Sequence, residues 1–132
     1  MKQVIVILSL VLMLVACEPT VKQGMLDTPV RLKVGQSLDV DGMLITVEKI
    51  SEDSRCPQGA QCIWAGKVSV ALHVQTQDSA FDMVLMLGLN DAGATQLVGV
   101  DSLTLKEVSP APVLDQKISQ SDYSVILLVR KA

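Results

Sequence analysis

The chain has 132 residues, a formal net charge of −3 and only three aromatic side chains, Trp64, Phe81 and Tyr123. Its lysines and arginines are dispersed among a slight excess of acids, with only Arg130 and Lys131 adjacent, so no basic cluster could neutralise a run of phosphates, and three rings make no row for stacking bases or sugars. Nucleic acid is thereby excluded as a partner, and the length suits one domain with a modest core.

The first segment reads Met1-Lys2-Gln3, then runs apolar from Val4 to Ala16 with only Ser9 interrupting, and reaches Cys17. A cationic start, a short apolar run and small residues before a cut make a secretory signal over 1–16. A membrane-spanning helix needs ~20 apolar residues, more than this run supplies before Glu18-Pro19-Thr20. Leu14-Val15-Ala16-Cys17 resembles the lipobox of bacterial lipoproteins. That resemblance implies a diacylglycerol on the Cys17 thiol, further acylation of the palmitate kind, and Cys17 as first residue of a mature, membrane-anchored protein. More than one acyl chain is needed for stable anchoring, which a diacyl group supplies. Glu18 stands where enteric inner-membrane retention signals resemble one another in carrying aspartate. The expected location is therefore the cell envelope, on the periplasmic face of the outer membrane in a Gram-negative cell.

Residues 17–29 contain Pro19, Gly24 and Pro29 without periodicity and predict a lipidated tether. From 30 to 132 the apolar period is two. Val30, Leu32 and Val34 alternate with Arg31 and Lys33. Leu38 and Val40 flank Asp39, and Ile45 and Val47 flank Thr46. The pattern returns at Val68 to Val74, at Phe81 to Leu87, from Val98 and Val100 through Leu103 and Leu105, and at Tyr123 to Val129. Asp41-Gly42 between two such runs is a hairpin signal, because both residues tolerate positive φ. Val125 to Val129 is apolar throughout, which predicts a strand central in its sheet. Pro110 and Pro112 cannot donate in a ladder, which makes Ser109 to about Gln120 a crossing loop. About seven short strands predict one all-β domain, an antiparallel β-sandwich or partly closed barrel.

Three cysteines are present. With Cys17 acylated, Cys56 and Cys62 remain to pair in an exported protein, closing a small ring that stabilises the fold by about 2 to 2.5 kcal/mol. Around them stand Glu52-Asp53-Ser54-Arg55-Cys56-Pro57, then Gln58-Gly59-Ala60-Gln61, then Cys62-Ile63-Trp64-Ala65-Gly66. With Gly35-Gln36, Leu103-Thr104-Leu105, Ser109-Pro110-Ala111-Pro112 and Tyr123-Ser124-Val125, this resembles an uncharacterised family of small exported bacterial proteins with a DSRCP, spacer, CxWxG signature. The resemblance implies an all-β domain with a disulfide-closed loop and transfers no catalytic or ligand residue. Pro110-Ala111-Pro112 departs from that family's Pro-aromatic-Pro. Physically, the ring reads as a built corner: Pro57 sets φ at its entrance, Trp64 is expected against the sulfurs, Gly66 permits a bend, and Asp53 and Arg55 pair or cap amides. The functional alternative is a rigid recognition loop presenting Arg55, Pro57, Gln58, Gln61 and Trp64.

Catalytic and metal chemistry finds little footing. Cys-x₅-Cys is not the Cys-x-x-Cys of a thiol oxidoreductase. Two cysteines and the single His73 fall short of a zinc site. His73 is out of phase with Val68, Val70, Leu72 and Val74, so it lies with Lys67, Ser69 and Gln75 on the wet face as a solvated imidazole. Asp39, Asp41 and Gly42 lack the further oxygens and closing glutamate of a calcium loop. No nucleophile elbow or glycine-rich loop before a helix is present. The expectation is a non-catalytic accessory or binding lipoprotein without cofactor or metal, meeting another envelope component. The alternative is an inhibitor that puts the Cys56–Cys62 loop into a secreted hydrolase.

Overall fold

The computed structural model describes residues 20–88 and 90–131. The signal segment, the lipobox and Cys17 lie outside the described residues. Nine strands are described: β1 (Val21–Gln23), β2 (Val30–Lys33), β3 (Ser37–Val40), β4 (Met43–Asp53), β5 (Val68–Gln75), β6 (Ala80–Leu87), β7 (Thr95–Val98), β8 (Asp101–Ser109) and β9 (Ser124–Lys131). They form two sheets, ordered β1-β3-β4-β5-β6 and β2-β9-β8-β7. The sheets face each other across one core and do not close on themselves, so of the two predicted architectures the chain adopts the sandwich.

The inward half of each period-two pattern supplies the core. Ile45, Val47, Val70, Leu72, Val74 and Leu85 from one sheet, and Leu32, Leu103, Val125 and Leu127 from the other, are fully buried. Their alternating neighbours stand on the outer faces, as the pleat requires. Asp41 and Gly42 both take positive φ, 51° and 74°, in the two-residue turn that joins Val40 to Met43. β9 lies between β2 and β8, as its unbroken apolar run predicts.

Three local expectations are corrected. Val21–Gln23, assigned to the tether, adds to the first sheet as an edge strand parallel to β3, and Gly24 N–H donates to Asp39 C=O at 2.8 Å. The single strand expected from Val98 to Leu105 is a hairpin, β7 and β8, turning at Gly99-Val100 with Gly99 at φ 63°. Together these raise seven strands to nine. Ser69 is buried despite its outward phase. Among the described residues no helix is long and apolar enough to cross a membrane.

Candidate functional site

The loop from Ser54 to Lys67 leaves one sheet at the top of β4 and returns at the foot of β5. Its base is a clasp. Ser54 N–H donates to Lys67 C=O at 2.8 Å, the Ser54 hydroxyl donates to the same carbonyl at 3.2 Å, and Lys67 N–H donates to Ser54 Oγ at 3.1 Å. Gly66 makes the clasp possible, since a Cβ there would stand 1.7 Å from the Ser54 carbonyl oxygen. Within the loop Cys56 and Cys62 are paired, with Cα atoms 5.9 Å apart. The ring also leans on the crossing loop between β8 and β9: Gln58 N–H donates to Pro112 C=O at 2.9 Å, and Leu114 N–H donates to Gln58 C=O at 3.0 Å.

Beneath the ring is a compact polar network. Arg55 grips Asp53 two-handed, Nε to Oδ1 and Nη2 to Oδ2, both at 2.8 Å. Its remaining donors reach Val108 C=O (Nη1, 2.8 Å) and Pro110 C=O (Nη2, 3.0 Å), while the Tyr123 hydroxyl donates to Asp53 Oδ2 at 2.8 Å. One guanidinium thus ties the end of β4 to the end of β8, and one phenol ties it to the start of β9. A bidentate fork of this kind is the geometry for which arginine is suited and lysine is not. Burial pushes the Asp53 carboxyl upward, but the hydrogen bonds from Arg55 and Tyr123 and the Arg55 charge outweigh it, and the group is held below its usual range. The Asp53 hydrogen bond in turn raises Arg55.

Tyr123 is itself pushed up to about 12, by burial and by the Asp53 carboxylate, since a phenolate would be a second anion on the same site. In the unfolded chain it titrates near 10. Above pH 10 the unfolded state therefore loses this proton first, so the contribution of Tyr123 is complete below pH 10 and is lost as pH rises through 12. Tyr123 is the chain's only tyrosine, so its phenolate absorbance reads the site directly. The folded protein is expected to titrate close to 12 and the urea-unfolded chain near 10.

These contacts redistribute the residues singled out in the sequence. The Arg55 side chain is largely covered, and its hydrogen bonds are made inside the fold. Trp64 does not cover the disulfide: it is 64% exposed and Ile63 is 96% exposed. Gln58 and Gln61 are exposed, and Pro57 is half-buried. Gln58 is pinned through its backbone, and the Gln58 and Trp64 side chains both face solvent. A shallow groove lined by Trp64, Gly66, Lys67, Met86 and Gly93 runs beside the ring.

His73 keeps its predicted outer face but is not a free imidazole. Its Nδ1 lies 2.6 Å from Asp82 Oδ1, directly across the β5–β6 ladder, and it is half-buried. Glu48 comes within 4.8 Å of both partners; it follows two residues after Thr46, which pairs with His73, and so stands on the same outer face. Alternation puts Glu48 and Asp82 on outer faces, but their meeting with His73 depends on the register between strands, which the pattern within one strand does not carry. The arrangement is a cross-strand pair with a second acid at hand. Sequence reasoning also missed Gln120, whose side-chain amide clamps both backbone groups of Ile50, at 2.9 and 3.1 Å. Comparison of the chain with family models, with curated proteins and with solved structures gives no match.

Proposed function

We propose that the chain is a lipid-anchored, non-catalytic binding module of the cell envelope, and that the disulfide-closed loop is its contact surface. The observation that carries the reading is the contrast within fourteen residues of loop, Ser54 to Lys67: its base is clasped and ion-paired into the fold, while Ile63 and Trp64 at its far side are turned to solvent. Rigid presentation lowers the ordering cost of binding, and a large exposed indole is a frequent binding anchor. Anchoring follows from the Leu14-Val15-Ala16-Cys17 resemblance.

The anchor is tested by feeding cells an alkyne fatty acid and comparing wild type with Cys17→Ser. Label on the wild type alone is expected, and equal labelling of both would remove the anchor. The inhibitor reading draws on the same protruding loop. It replaces the leading one if the immobilised domain retains and inhibits a secreted hydrolase, with both effects lost in Trp64→Ala. That substitution should shift the urea midpoint hardly at all, because the ring it removes is mostly in water.

A further inference from the structure

We infer that the surface met by Ile63 and Trp64 is the membrane to which the chain is anchored: the two side chains form a second, interfacial foot beside the lipid on Cys17. The inference deepens the reading above and rests on it for the position of the anchor.

The topology puts both feet at one end of the sandwich. β1 runs parallel to β3 and enters at the level of Ser37, and β3 runs antiparallel to β4. The chain before Val21 therefore heads toward the end at which β4 finishes, and the loop carrying Ile63 and Trp64 rises from that same end. Thr20 C=O is already fixed, accepting from Ser37 N–H at 3.2 Å. Only Glu18, Pro19 and Thr20 separate Cys17 from β1. At ~3.3–3.6 Å per residue, three residues reach about 10 Å, so the first strand holds the domain against the bilayer instead of letting it swing on a long tether.

The geometry also says how the domain meets the surface. β4 continues from Thr46, level with Ser37, to Asp53, a distance of about 20 Å at the rise of a bulged strand. The loop thus overhangs the anchor point; its roots stand two and three strands from β1, and Trp64, beside Met86 of β6, lies about 14–19 Å from β1 along the sheet. One plane touches both only if the sandwich leans toward its β1 edge. In that pose Ile63 and Trp64 enter the interface together. An indole, apolar over its body with one N–H to satisfy, settles at headgroup depth. Two side chains alone hold a bilayer weakly, and the anchor supplies the local concentration that makes their contact persist.

Trp64 is the chain's only tryptophan, so it is both the foot and the probe. With Cys56 and Cys62 paired, Cys17 is the one free thiol of residues 17–132, which contain both sheets and the whole described core. That chain is coupled through Cys17 to vesicles of phosphatidylcholine doped with a maleimide headgroup, with acyl chains either plain or brominated near the glycerol. The expected result is a blue shift of Trp64 emission on coupling and a loss of emission on brominated vesicles only, both diminished in Ile63→Asp. Emission unchanged by coupling and unquenched by bromine overturns the inference and leaves the loop to a protein partner. Quenching equally strong in Ile63→Asp also overturns it, since proximity alone would then suffice. Coupling places the anchor chemically, so failure here is distinct from failure of fatty-acid labelling in cells.

Discussion

Gly66→Ala is expected to cost about 3 to 5 kcal/mol, from overpacking together with the hydrogen bonds it displaces. The added Cβ would stand 1.7 Å from the Ser54 carbonyl oxygen, 2.3 Å from its carbon and 2.7 Å from Arg55 N. Those atoms are backbone, so no side-chain rotation relieves the overlap. Ser54 or Lys67 must withdraw, and the three hydrogen bonds of the clasp weaken together. Arg55, the next residue, then loses its aim at Val108 and Pro110. Urea denaturation of residues 17–132 should show a much lower midpoint, whereas Ala65→Ser, one residue earlier on an exposed position, should stay within about 0.5 kcal/mol. A Gly66→Ala midpoint equal to wild type would mean that the clasp is not structural.

Arg55→Ala should be nearly as damaging, at about 2 to 4 kcal/mol, because removing one partner leaves the other groups covered and unpaired. Asp53 keeps only the Tyr123 hydroxyl and its own local amide, and the Val108 and Pro110 carbonyls lose their donor. Arg55→Lys is expected to recover little, since an ammonium cannot reproduce the fork. The effect has a pH signature. The Asp53 carboxyl is held below its ordinary value in the fold, so the stability it carries is complete above the unfolded value near 3.9 and is lost as pH falls through the folded one. The difference between wild type and Arg55→Ala should thus be full at neutral pH and shrink in acid. A gap that does not narrow would assign the loss to packing instead of charge.

The sandwich was legible in the sequence wherever a rule is local. Period-two runs marked the core faces, the positive φ tolerated by Asp41 and Gly42 marked a tight turn, and the unbroken Val125–Val129 run marked the central β9. Val21–Gln23 was not legible, because three residues are too few to show a period and the strand exists through its pairing with β3. Gly99-Val100 was hidden by an apolar residue in a turn, with Val100 69% exposed.

For the site, the pairing of Cys56 with Cys62 was legible by elimination, and the fate of Trp64 was not. A tryptophan two residues from a cysteine suggests burial by residue type, yet burial is decided by what else reaches the space. Here the covered ring is Tyr123, seventy residues from Asp53 and bonded to it, while Trp64 stays exposed. The same distance hides the Gln120 clamp on Ile50. Glu48 and Asp82 meet His73 through the register of β4 and β6 on β5, which alternation along one strand cannot foresee.

The presentation of Trp64 on a loop held from below is tested most directly by the emission of that single tryptophan in the folded, soluble domain. At 64% exposure it should emit close to the wavelength of the urea-unfolded chain and be quenched by acrylamide almost as readily, while unfolding still registers fully in circular dichroism. Emission well to the blue of the unfolded chain, with the indole shielded from acrylamide, would contradict an outward-facing Trp64 and return the ring to the corner it was first expected to fill.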